Sequence, residues 1–130
     1  MDNRLIVLFF MFFCHIIDDY HLQGILKDLK QKKFWQDNAP DELYKHDYIV
    51  ALLTHSFSWT FMITLPVGIF LYHMGFQLPN LTIAVGIMNT IVHAYTDDLK
   101  ANKFKINLIC DQLIHTVQIV ITWWLLIFVV

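Results

Sequence analysis

Four stretches of the chain, roughly residues 4–23, 48–74, 79–98 and 104–130, are each apolar over the length of a bilayer-crossing helix, yet each carries His, Asp or both. A helix needs ~20 mostly apolar residues to cross a hydrocarbon core of ~30 Å, so these stretches take up nearly all of the 130 residues. Hydrophobic residues make up 57% and charged residues 15%. A soluble domain of this size would have to expose many of its 11 Phe and 4 Trp side chains. The expected fold is therefore all-α, an integral membrane four-helix bundle forming one transmembrane domain over residues 1–130. The first stretch reads as a retained span, because no small-residue cleavage site follows it, and Phe12 and Phe13 before Cys14 fit a lipoprotein box poorly. Cys14 and Cys110 have no paired spacing and read as packing residues.

The loops set the expected orientation. Lys27, Lys30, Lys32, Lys33 and Lys45 fall in a polar loop at about 24–47, and Lys100, Lys103 and Lys105 at or in the link before the last stretch, leaving only Arg4 of the nine basic residues on the other side. By the positive-inside rule the lysine side is cytoplasmic and both termini are non-cytoplasmic, which places the chain in the cell's inner membrane. "GILKDLKQKKFW" within the long loop has the pattern of an interfacial amphipathic helix, able to bind anionic head groups and to cover or shape whatever lies beneath it. Tyr20, Trp35, Tyr44, Tyr48, Trp123 and Trp124 read as interfacial anchors. No phosphate loop, nucleophile elbow or nucleic-acid signature occurs, so the bilayer is the expected partner and nucleic acid is not.

Depth and rotation organise the polar residues. His15 and Asp19 come late in the first stretch, His55 early in the second, His93 and Asp97 late in the third, and Asp111 and His115 early in the fourth. In helices of alternating direction all seven lie in the lysine-side half. They also share faces at ~100° per residue. His15, Asp19 and Gln23 form one stripe; Asn89, His93, Asp97 and Lys100 a second; Asn107, Asp111, His115, Gln118 and Thr122 a third; His55 with Thr54, Ser58 and Trp59 a thinner one. Asp18, His21 and Asp98 fall off these faces, where water is expected to reach them, and His46 and His73 lie in or near loops.

A His and an Asp at i, i+4 can reach one metal ion from a single helix. "HIIDD", "HAYTD" and, reversed, "DQLIH" give three such pairs. With His55 they make a ligand set of His15, Asp19, His55, His93, Asp97, Asp111 and His115, enough for one divalent ion or for two sharing a carboxylate. Nitrogen and oxygen ligands favour zinc first, with manganese or iron as alternatives, over copper(I). Polar packing between membrane helices is the plainer explanation, but each such contact contributes only ~0.6–2 kcal/mol, and carboxylates at membrane depth are costly.

In this order the motifs "HIIDDYHLQ", "LLTHS", "HAYTDDLK" and "FKINLICDQLIH" resemble the pattern His-x3-Asp-aromatic-x2-Gln, a lone His, His-x3-Asp-x2-Lys and Asp-Gln-x2-His of the small bacterial and phage membrane proteins classed as domain of unknown function 3307. The resemblance covers almost the whole chain. It implies that His15, Asp19, Tyr20 and Gln23, then His55, then His93, Asp97 and Lys100, then Asp111, Gln112 and His115 are the positions that matter. "THS" is also similar, more weakly, to a segment of membrane-bound metal-dependent hydrolases. A faint internal echo suggests two hairpins of like orientation, although Ala51 stands where a second Asp111 would be.

The expected function is hydrolysis of a phosphoester or lipid-linked ester by metal-activated water at the cytoplasmic leaflet. Asp19 and Asp97 are candidates for ligand, bridge or general base, Gln23 and Gln112 for orienting the ligands from behind, and Lys100 for holding an anionic head group, its alternative being a lysine that reaches for the interface. Two rivals stand beside it. One is a proton or metal-ion transport or relay element, which in so small a chain implies a homo-oligomer. The other is a phage or bacterial membrane effector without catalysis, which needs no ligand constellation.

Overall fold

The computed structural model describes residues 3–76 and 80–129. Positions 79 and 130, assigned above to the third and fourth stretches, lie outside the described residues, as do 77 and 78 of the turn before the third. Among the described residues there are six α-helices and no strand: α1 Asn3–Ile16, α2 Leu26–Leu29, α3 Lys32–Asn38, α4 Asp47–His73, α5 Asn80–Ala101 and α6 Leu108–Trp124. α1 continues as a π-helix through Ile17–Leu22, and α6 as another through Leu125–Val129.

Among the described residues three segments are long and apolar enough to cross a membrane: Asn3–Leu22, Glu42–His73 and Leu108–Val129. This corrects the four-span bundle expected from the sequence. α5 is long enough, but Thr82, Asn89, Thr90, His93, Thr96, Asp97, Asp98 and Lys100 dilute its apolar character below that of a span. The placing of both termini on the non-cytoplasmic side and the pseudo-repeat of two membrane hairpins were expectations tied to that bundle and lose its support. α5 instead lies against α4 and α6. Pairing of Thr90 with Thr60 and of His93 with His55 shows that it runs antiparallel to α4.

Local chemistry explains the boundaries. Gly24 at φ 51° ends the π-helix after α1, and Gly75 at φ 78° follows α4, each in a left-handed conformation that glycine adopts without steric cost. The Asn107 side chain accepts from the Cys110 N–H at 2.9 Å and caps α6. The expected interfacial helix is broken in two at Gln31, which is extended at φ −96°, ψ 127°. Asn102 holds that break, donating to the Lys30 carbonyl at 3.1 Å and accepting from the Lys32 N–H at 2.7 Å.

The interior has two layers. Val7, Met11, Ile63, Val67, Leu71, Val85, Ile119 and Leu126 form an apolar half. His15, Asp18, Asp19, His55, His93, Asp97, Asp111 and His115 are all buried in the other half. Fully buried Trp59 separates them: its indole N–H donates to His15 Nδ1 at 2.7 Å, and its ring stacks on His93 with centroids 4.2 Å apart.

Candidate metal centre

Six of the expected residues meet in three overlapping groups: Asp19, His55 and His93; His93, Asp97 and His115; Asp19, Asp111 and His115. α1's π-extension, α4, α5 and α6 each contribute, and every group is buried. Within a group one donor atom of each residue lies within 4.8 Å of the others. Donor atoms around a tetrahedral ion with bonds of ~2.1 Å are separated by roughly 3.4 Å. The observed separations bracket that value: 3.4 Å for His55 Nε2 to Asp19 Oδ1 and for His115 Nε2 to Asp111 Oδ1, 3.2 Å for His55 Nε2 to His93 Nε2, and 3.8 Å for His115 Nε2 to Asp97 Oδ1.

Buried polar groups are nearly always hydrogen-bonded, so orphans are informative. His115 Nε2, Asp97 Oδ1 and Asp111 Oδ1 have no hydrogen-bond partner, although all three side chains are fully buried. His115 Nε2 lies 3.8 Å from Asp97 Oδ1 and 3.4 Å from Asp111 Oδ1. A cation beside His115 would take up that nitrogen together with a neighbouring carboxylate oxygen, and these His/Asp clusters could hold a metal ion.

The surroundings prepare His115 as a ligand. The Gln118 amide donates to Asn89 Oδ1 at 3.2 Å and to the Asn89 carbonyl at 3.3 Å, which leaves its oxygen facing His115 Nδ1, 3.2 Å away. Nδ1 must then carry a proton, which leaves Nε2, facing the two orphaned carboxylate oxygens, as the ring atom that would bind an ion. Asn89 is itself fixed by donating to Thr122 Oγ1 at 2.7 Å. Replacing Gln118 by Leu is expected to weaken divalent-metal affinity roughly 10–100-fold with the fold retained, read by metal titration; an unchanged affinity would show that Gln118 does not set the tautomer.

His15 is not brought into any group. Its Nδ1 accepts from Trp59, so its Nε2 carries the proton and donates to Gln112 Oε1 at 3.1 Å. Gln112 in turn donates to Asp19 Oδ2 at 2.9 Å and Asp111 Oδ2 at 3.1 Å, tying two carboxylates together from behind. Gln23 donates to Asp19 Oδ1 at 3.0 Å. Lys100 Nζ lies 2.5 Å from Asp111 Oδ2 and 3.8 Å from Asp97 Oδ1. Tyr20 is 57% exposed and stands apart from the cluster.

Two residues escaped the sequence reading. Asp18 was placed off the inward face, within reach of water, yet it is 1% exposed, accepts from Ser58 Oγ at 2.6 Å and faces His55 Nδ1 at 3.7 Å. The π-helical turn over Ile17–Leu22 widens the helix so that both Asp18 and Asp19 turn inward. A carboxylate behind a histidine is the usual way to orient that ring for a metal. Lys30, counted as a loop lysine, is 6% exposed with Nζ 2.5 Å from Asp97 Oδ2. Its signal was a lysine four residues after Leu26, on the apolar side of a short amphipathic helix.

Fold and site together define a helical chain with three candidate membrane spans and a buried His/Asp cluster able to hold a metal ion. The chain matches no family model, no curated protein and no solved structure.

Proposed function

We propose that the chain is a divalent-metal-dependent hydrolase of the inner membrane, acting on a phosphoester or lipid-linked ester from the cytoplasmic leaflet. The observation that carries this is the orphaned His115 Nε2, 3.8 Å from the orphaned Asp97 Oδ1 and 3.4 Å from the orphaned Asp111 Oδ1, beside a second set of donors, Asp19, His55 and His93. Zinc suits the nitrogen and oxygen donors best, with manganese or iron next. The lysines of the segment before α4, and those at and after the end of α5, support a cytoplasmic-facing site. An apolar groove of about 680 Å³ between α5 and α6 passes beside Gln118 and supports a substrate with a hydrocarbon tail. Membership in the domain of unknown function 3307 group is part of the same proposal, supported by the gathering of residues from all four of its motifs into one cluster.

A divalent ion, when bound, acidifies water toward a pKa of ~7 and polarises the ester oxygen. Asp97, with one oxygen toward His55 and the other toward His115, would be a ligand to such an ion. Asp19, at the edge of the cluster near Gln23, takes a proton from the attacking water. As the new oxygen bond forms at phosphorus or carbonyl carbon, the bond to the leaving oxygen breaks with its electron pair. Lys100, 26% exposed, donates the proton that neutralises that oxygen and regains one from water.

The test is metal content of the detergent-purified protein beside a folded variant with His93→Ala and Asp111→Ala. The parent is expected to hold one or two equivalents of zinc, manganese or iron and the variant none. Empty samples from both, even after reconstitution, would overturn the proposal. They would favour a proton relay, for which the 3.2 Å contact between His55 Nε2 and His93 Nε2 is the specific support.

A further inference from the structure

Charge sets what this layer can hold. Four carboxylates, Asp18, Asp19, Asp97 and Asp111, are buried in it, and the ammonium groups that reach them among the described residues are those of Lys30 and Lys100. With the imidazoles neutral, as metal ligation requires, four carboxylate charges against two ammonium charges leave two to be met by the ion. Unpaired charge is strongly disfavoured away from water, so one divalent ion completes the resting site.

The geometry has room for more. Asp97 presents Oδ2 to His55 Nε2 at 3.6 Å and His93 Nε2 at 4.0 Å, while Oδ1 faces His115 Nε2 at 3.8 Å. A single carboxylate therefore reaches two ligand sets, the arrangement that holds two ions ~3.5–4 Å apart. Lys30 sits on the Asp97 oxygen that the His55 and His93 set would need, Nζ 2.5 Å from Oδ2, and Lys100 Nζ is 2.5 Å from Oδ2 of the ligand carboxylate Asp111. A second divalent ion would bring two positive charges beyond neutrality. It is held only with an anion that brings two negative ones, and a phosphate monoester does so where a carboxylic ester does not.

We infer that the cluster is a phosphate-dependent two-ion site, in which one divalent ion is resident and a second enters with a phosphomonoester, Asp97 bridging the pair. Lys30 and Lys100 then pass from carboxylate to phosphate oxygen, forming charge-assisted hydrogen bonds with the ligand. This rests on the metal-dependent reading proposed above and narrows its substrate to phosphomonoesters.

The experiment uses the full chain in detergent, stripped by chelator and dialysed against manganese(II) in chloride buffer, with and without millimolar inorganic phosphate. Bound manganese is counted by mass spectrometry, and coupling between ions is read by electron paramagnetic resonance. One equivalent without phosphate, and two equivalents with exchange-coupled spectra in its presence, is the expected result. Lys100→Gln is expected to raise the phosphate concentration needed for the second ion about tenfold. A count that stays at one with phosphate, or stands at two without it, overturns the inference while metal binding survives. A count of zero in both buffers removes the metal reading and this inference together.

Discussion

His115→Gln is expected to abolish measurable divalent-metal binding while the helices remain assembled. His115 belongs to two of the three ligand groups, and its Nε2 is the nitrogen orphaned beside Asp97 Oδ1 and Asp111 Oδ1. Gln keeps much of the volume that packs against His93, whose ring centroid is 4.1 Å away, but loses the imidazole lone pair. The loss should exceed the roughly 10–100-fold cost of disturbing a supporting residue, reaching about 1000-fold. Thermal unfolding reads it without an assay for activity. A ligand at 1000 times its dissociation constant stabilises a folded protein by about 4 kcal/mol, so the parent's unfolding temperature should rise with metal and the variant's should not. Equal shifts in the two would remove His115 from the ligand set.

Lys30→Met carries the other large effect, and its sign depends on metal. Lys30 and Asp97 form a pair with side chains 7% and 0% exposed. Removing one partner of such a pair typically costs 3–5 kcal/mol, about 4 kcal/mol here, because a buried carboxylate is left without its cation. The metal-free variant should therefore unfold well below the parent. Divalent metal should restore most of the difference and bind the variant more tightly, since the layer then holds three uncompensated negative charges instead of two. The comparison is Lys45→Met, which breaks the exposed pair with Glu42 and is expected to change little. If metal leaves the Lys30→Met deficit untouched, the ammonium and the ion do not share Asp97.

The residues that could be read from the sequence are those governed by regular helical geometry. His93 with Asp97, and Asp111 with His115, are one turn apart in α5 and α6, and both pairs lie in the cluster at the spacing their numbers imply. His55 could be read from depth alone. Asp18 could not, because its inward turn depends on the π-helical hydrogen bonding of Ile17–Leu22, for which the sequence offers no strong local signal. His15 has the spacing of a ligand, yet Trp59 and Gln112 take both ring nitrogens.

By itself the sequence determined the class of the chain: helical, too apolar for an ordinary soluble domain, with seven His and Asp residues of its apolar stretches at one level along the helices. Those properties follow from composition and a fixed rise and rotation per residue, which are local quantities. Only the tertiary structure decided that α5 packs on α4 and α6. It also decided that Lys30 enters the polar layer and that the unpaired atoms of Asp97 and Asp111 each face His115 Nε2. These depend on which side chains from distant helices compete for the same hydrogen bonds, and that competition exists only once the helices have packed.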